Sequence, residues 1–317
     1  MVDHTTRAPS DRQTPTGQMA PTTDVVASSG KRSRADFEAS GTAFVNTFTS
    51  LYELEDNFEI KVSEWNASRT VKPAVFETVR NLALCPATKD VVSELKKAGV
   101  VKSKAGDDPS EIAKWLEQVS GKDFVAEVEK ELENAPPGPT LAVGVFFKMV
   151  AESWANDTDC KAVKAPQDKF LQLTTATPAV LKDGHCKACY KVKTPGLAWA
   201  VKVCIESFDD GSADSGTFEG IVLPTNIDID LDNSAFEPFM KGATNGIWQI
   251  IAAMCKGKLV ISKQTPLSAE VATIVVVRTR GLCMGPVPDV GHYDMRGKPL
   301  RITLFYEQVP LLQAWRV

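Results

Sequence analysis

Thiols, an acid stripe and rows of basic side chains are the parts of this 317-residue chain whose types and spacing could do chemistry. The thiols lie at His185-Cys186-Lys187-Ala188-Cys189, with Cys160 upstream and Cys204 downstream. Zinc takes four soft ligands, and its usual sign is two tight pairs of them. One pair is present here. In an extended strand Cys186 and Cys189 point to opposite faces, so they share a metal only if a turn at Gly184 runs past both. Otherwise they are half-buried cysteines or a redox dithiol.

The acid stripe is Ile227-Asp228-Ile229-Asp230-Leu231-Asp232. Period two puts Asp228, Asp230 and Asp232 on one strand face. A bound Mg²⁺ or Ca²⁺ would relieve their repulsion, as in a metal-dependent phosphodiester enzyme. The plainer reading is a solvated face, paired across a sheet with Lys191, Lys193 or Lys202. The neighbouring loop from Asp209 to Glu219 is acidic and glycine-rich but lacks the EF-hand spacing, which suits a hairpin tip.

Basic residues form the third set. Lys31, Arg32 and Arg34 close the N-terminal stretch, Lys191 and Lys193 share one strand face, and Arg278 and Arg280 share another. Such rows can track the phosphates of a single-stranded nucleic acid, with Tyr190, Trp199 or Tyr306 as stacking surfaces. Rows of lysine equally protect edge strands. There are three histidines, and no G-x-S-x-G, H-E-x-x-H, Walker A or G-x-G-x-x-G pattern occurs. Histidine-centred acid–base or nucleophilic chemistry has little material, so the expectation is a non-enzyme without a cofactor.

The elements that would position these groups divide in three. Residues 1–34 are Thr-, Ser- and Pro-rich, with five Lys/Arg against three Asp/Glu, and read as a disordered arm. Residues 35–157 carry 13 Lys/Arg against 21 Asp/Glu and show helical spacing over about six segments. Their best start signal is Asp108-Pro109-Ser110-Glu111, an N-cap acid with proline in the first turn. Helices are also expected from Asp36, from Pro73 to Pro86, from Thr88 to Gly99, over Phe124–Leu132 and over Leu141–Trp154. Residues 158–317 alternate with period two, apart from an expected helix at Ala243–Cys255. One hairpin is expected to turn at Thr194-Pro195-Gly196. The fold class that follows is α+β: an N-terminal helical domain, then a strand-rich, mainly antiparallel one.

The net charge of −4 and hydrophobic fraction of 43% suit a globular chain. Seven dispersed cysteines suggest reduced thiols in an intracellular, cytoplasmic protein, and no apolar run is long enough for a membrane span. The last nine residues stay apolar, and Leu311, Leu312 and Trp315 would dock on a neighbour or on their own domain. Arm and tail together suggest a self-assembling structural subunit of viral coat or nucleocapsid type, residing in a virion, its partners being copies of itself and single-stranded RNA. The alternatives are the phosphodiester enzyme centred on the aspartates and a monomeric ligand-binding module.

Overall fold

A computed structural model describes residues 41–58, 81–135, 137–154, 160–164, 170–182, 184–208, 215–232, 248–279, 300–307 and 309–316. Among them are four helices with assigned bounds: α1 (Phe44–Phe58), α2 (Pro86–Lys97), α3 (Pro109–Ser120) and α4 (Val125–Glu133). The strands are β1 (Gly41–Thr42), β2 (Val101–Gly106), β3 (Thr140–Val150), β4 (Ser153–Trp154), β5 (Cys160–Lys164), β6 (Phe170–Lys182) and β7 (His185–Lys193). They continue with β8 (Val201–Phe208), β9 (Gly216–Pro224), β10 (Asn226–Leu231), β11 (Trp248–Ser262), β12 (Ser268–Thr279), β13 (Leu300–Tyr306) and β14 (Val309–Arg316). The chain is α+β, with helices early and two antiparallel sheets.

The larger sheet has the order β1-β14-β13-β8-β7-β6-β5, with β4 added to β7 and β9 to β6; the smaller is β10-β11-β12-β3-β2. Strand β3 precedes the expected division at residue 157, yet it pairs along its whole length with β12. One apolar cluster joins α1 and α2 to the inner faces of both sheets. A second lies on the opposite side of the smaller sheet, where Ile112, Leu116, Phe124 and Val128 of the α3–α4 region meet Ala142, Phe146, Ala272 and Ile274.

That two-sided cover explains the largest departure from expectation. Leu141–Trp154 and Ala243–Cys255 were expected to be helices, but β3 and β11 occupy most of the first and the described part of the second. A strand buried on both faces is apolar at every position, and its period-two signature disappears. Gly144 on β3 marks the close approach, since a Cβ there would lie 3.0 Å from the Trp115 ring. Proline placement produced a smaller departure: helical residues 81–83 end just before Pro86, as expected, but Pro86 itself opens α2 where Thr88 was the expected cap, its missing N–H costing nothing in a first turn.

Local signals held where they carried their own chemistry. Asp108 accepts from Ser110 N at 2.8 Å and Glu111 N at 3.3 Å, Pro109 follows, and Gly121 ends α3 at φ 69°. Glu117 Oε1 accepts from Phe124 N and Val125 N, capping the start of α4. Inside the core, Asn46 of α1 donates through Nδ2 to Thr273 Oγ1 at 2.9 Å and reaches the carbonyls of Val145 and Val271 at 3.3 Å. This polar contact ties α1 to the adjacent strands β3 and β12.

Candidate ligand-binding face on the larger sheet

The hairpin β7–β8 is built around a tight turn. Thr194-Pro195-Gly196-Leu197 closes with Leu197 N donating to Thr194 O at 3.4 Å, with proline at the second position and Gly196 at φ 78°. The expected turn is therefore present. It sets a register in which His185–Val192 face Val201–Phe208 in reverse order.

Directly opposed residues in antiparallel strands share a face. One rung therefore runs Val180, Lys187, Glu206 and Arg301 across β6, β7, β8 and β13. The next is Cys189, Cys204, Thr303 and Gln313, and beyond it Lys191 faces Lys202. The other side of the same strands is core: Ala188, Tyr190, Val192, Val203, Ile205 and Ile302 are all buried. Alternation thus separates an apolar inner face from a charged outer one.

Glu206 is 6% exposed and doubly bound. His185 Nε2 lies 3.1 Å from Oε1, while Arg301 Nε and Nη2 donate to Oε2 at 3.0 and 2.9 Å. Burial alone pushes this carboxyl up. The hydrogen bonds from His185 and Arg301, with the charges of Arg301 and Lys187, outweigh it and hold the group at about 2. An acid this strong is ionised throughout the neutral range and is a poor base. Around it Lys182, Lys187, Lys191, Lys193 and Lys202 are exposed, and the His185 side chain is half-exposed.

The expected site residues are distributed as follows. Lys191 and Lys193 stand on this outer face. Arg278 lies on β12 of the other sheet, where Nη1 donates to Ala135 O at 3.3 Å. Lys31, Arg32, Arg34 and Arg280 lie outside the described residues, as do the N-terminal arm, residues 73–80 of the helix expected from Pro73 and most of the acidic loop from Asp209. Cys189 and Cys204 form a disulfide, and Cys186 points to the opposite face, its thiol pushed up by burial. The expectation of reduced thiols therefore fails for one pair, and the proposed zinc pair Cys186–Cys189 is divided between two faces. Asp228 and Asp230 project from β10, and Asp228 Oδ2 pairs with Lys258 Nζ at 3.0 Å, not with Lys191, Lys193 or Lys202. Among the described residues no group of three His, Cys, Asp or Glu side chains could hold a metal ion.

Sequence reasoning missed the Glu206–Arg301 pair, which joins residues 95 apart. Nothing local announces it. The disulfide did leave a signal: in a hairpin centred between Gly196 and Leu197, Cys189 and Cys204 are equidistant from the turn.

The expected docking tail is β14. Leu311 and Leu312 are fully buried in the chain's own sheet, and Trp315 is paired through its backbone with Arg301. No known family model matches the chain, and no curated protein matches it. The solved structures it is similar to include a cleaved Serpin 42Da (10% identity, 86% of this chain and 95% of that one, TM-score 0.41). They also include a loop C-sheet serpin polymer (9%, 89% and 90%, TM-score 0.45) and thyroxine-binding globulin complexed with a thyroxine–fluorescein conjugate (10%, 75% and 98%, TM-score 0.28). These are likenesses of loose chain path, and no residue correspondence is drawn from them. The expectation of a coat or nucleocapsid subunit drew on an apolar C-terminal tail that docks on a neighbour. With the tail buried at home, that expectation is overturned, together with the capsid, virion and RNA-binding roles attached to it.

Proposed function

We propose that this chain is a non-enzymatic, monomeric binding module whose ligand is anionic and lies on the outer face of the larger sheet. One observation carries the reading. Lys187 on β7 and Lys202 on β8 each have a paired strand on either side, so protection of an open edge does not account for them. On those rungs the one carboxylate among the described residues, Glu206, is buried and already satisfied by His185 and Arg301. Among the described residues the exposed charged side chains of those rungs are lysines, and a face rich in one sign draws an oppositely charged partner.

The protein's net negative charge opposes long-range attraction of a highly charged polymer, which favours a short acidic segment meeting the face at close range. Side chains on one face of a strand repeat at about 6.8 Å, the interval at which an extended Glu- or Asp-rich peptide presents alternate carboxylates. Trp199, 61% exposed in the connection between β7 and β8, is a natural fluorescence reporter. A Glu-rich decapeptide titrated at low salt should quench or shift its emission. The affinity should drop at least tenfold in Lys191→Glu/Lys202→Glu and weaken steeply with added salt. Absence of saturable binding by the peptide at low salt would overturn the reading.

A further inference from the structure

The disulfide sits in the middle of the lysine face, between the rung of Glu206 and the rung of Lys191 and Lys202. Two observations set it apart from a structural staple. The hairpin has its own continuous ladder, which runs unbroken from His185–Phe208 to Val192–Val201, through and on both sides of the cysteine pair. The disulfide's two residues are also unequally exposed. Cys204 is 1% exposed, whereas Cys189 is partly open to solvent.

We infer that Cys189–Cys204 is a thiol–disulfide exchange site that takes a protein or small-molecule dithiol as reductant, and that its redox state sets the affinity of the lysine face. The second half of this inference rests on the function proposed above. An incoming thiolate bonds to the sulfur of Cys189, the more exposed of the two residues, the sulfur–sulfur bond breaks, and Cys204 departs as a thiolate and takes up a proton. The second thiol of the reductant then loses its proton and displaces Cys189. Two electrons and two protons pass to the protein, and the reductant leaves as a disulfide. Burial of Cys204 disfavours its thiolate, so its departure depends on the lysines of the same face and on a proton donor. Thr303, directly opposite Cys204, accepts from Gln313 Nε2 at 3.1 Å, so its own hydroxyl proton can turn toward the departing sulfur. Cys186 takes no part, since it lies on the other face of the strand. Lys187 and Glu206 are each two residues from a cysteine, so parting the sulfurs shifts the groups that shape the face.

The test equilibrates the full chain in a series of reduced and oxidised dithiothreitol, quenches with an alkylating agent and counts adducts by mass. Cys189 and Cys204 should become labelled together, in one two-thiol step, while circular dichroism still reports the folded protein; Cys186→Ala should leave that step in place. The Glu-rich peptide should bind the two states with affinities at least threefold apart, and Cys189→Ala/Cys204→Ala should bind like the reduced protein in every redox buffer. A disulfide that resists reduction until urea unfolds the chain would overturn the exchange site. Equal affinities in the two states would overturn the coupling. Absence of peptide binding in both states would sink the proposed function and the coupling with it, while the alkylation step still decides the exchange site.

Discussion

Glu206 and Arg301 stand directly opposite each other on β8 and β13, and both guanidinium contacts fall on the same carboxylate oxygen, Oε2. The other oxygen belongs to His185. A buried carboxylate held this way is tolerated only while its partners remain, because an uncompensated buried charge is far more costly than a paired one. Arg301→Met keeps much of the side-chain volume and removes the charge. It should destabilise the protein by about 3 kcal/mol, and Glu206→Gln added to it should restore a large part of that loss. Urea unfolding of the two single variants and the double variant measures the coupling. Additive single effects would remove the pair from the account.

The same carboxylate sets an acid limit. Its folded value of about 2 lies below the ordinary 4.5, so the folded state holds the proton less tightly than the unfolded chain. The resulting stability is fully present above the unfolded value and is lost as pH falls from about 4.5 through about 2. The shift corresponds to about 3 kcal/mol in that window. Glu206→Gln should flatten the stability-versus-pH curve there. A variant whose acid unfolding parallels that of the wild type would show that Glu206 is not the responsible group.

Gly257 tests the packing of the smaller sheet. It lies on β11 between Leu231 and Val271, and a Cβ there would come within 2.5 Å of the Glu270 carbonyl oxygen and 3.0 Å of the Val271 Cα. Backbone cannot step aside as the end of a flexible side chain can. Gly257→Ala should therefore cost about 1–3 kcal/mol, although alanine normally suits a strand better than glycine does. A thermal midpoint equal to or above that of the wild type would contradict this register.

Much of the local structure was legible from residue types alone. Asp108-Pro109 announced α3 because an acid cap followed by proline satisfies a helix start by itself. Thr194-Pro195-Gly196 announced the hairpin turn because proline and glycine supply its dihedral angles without outside help. Alternation announced β7 and β10 because each is buried on one face only.

Tertiary structure decided the rest, and the reason is the same in each case. Strands β3 and β11 lose their period because helices pack on one side and the other sheet on the opposite side, and burial on both faces erases the distinction a sequence can carry. The placement of Lys187 and Lys202 away from a sheet edge depends on the strands paired on both sides of them. The pairing of His185, Glu206 and Arg301 spans three strands and depends on register between segments distant in sequence. Residue types by themselves established which groups this protein has to work with. Only the pairing of the strands determined that a buried acid, a disulfide and a row of lysines share one face.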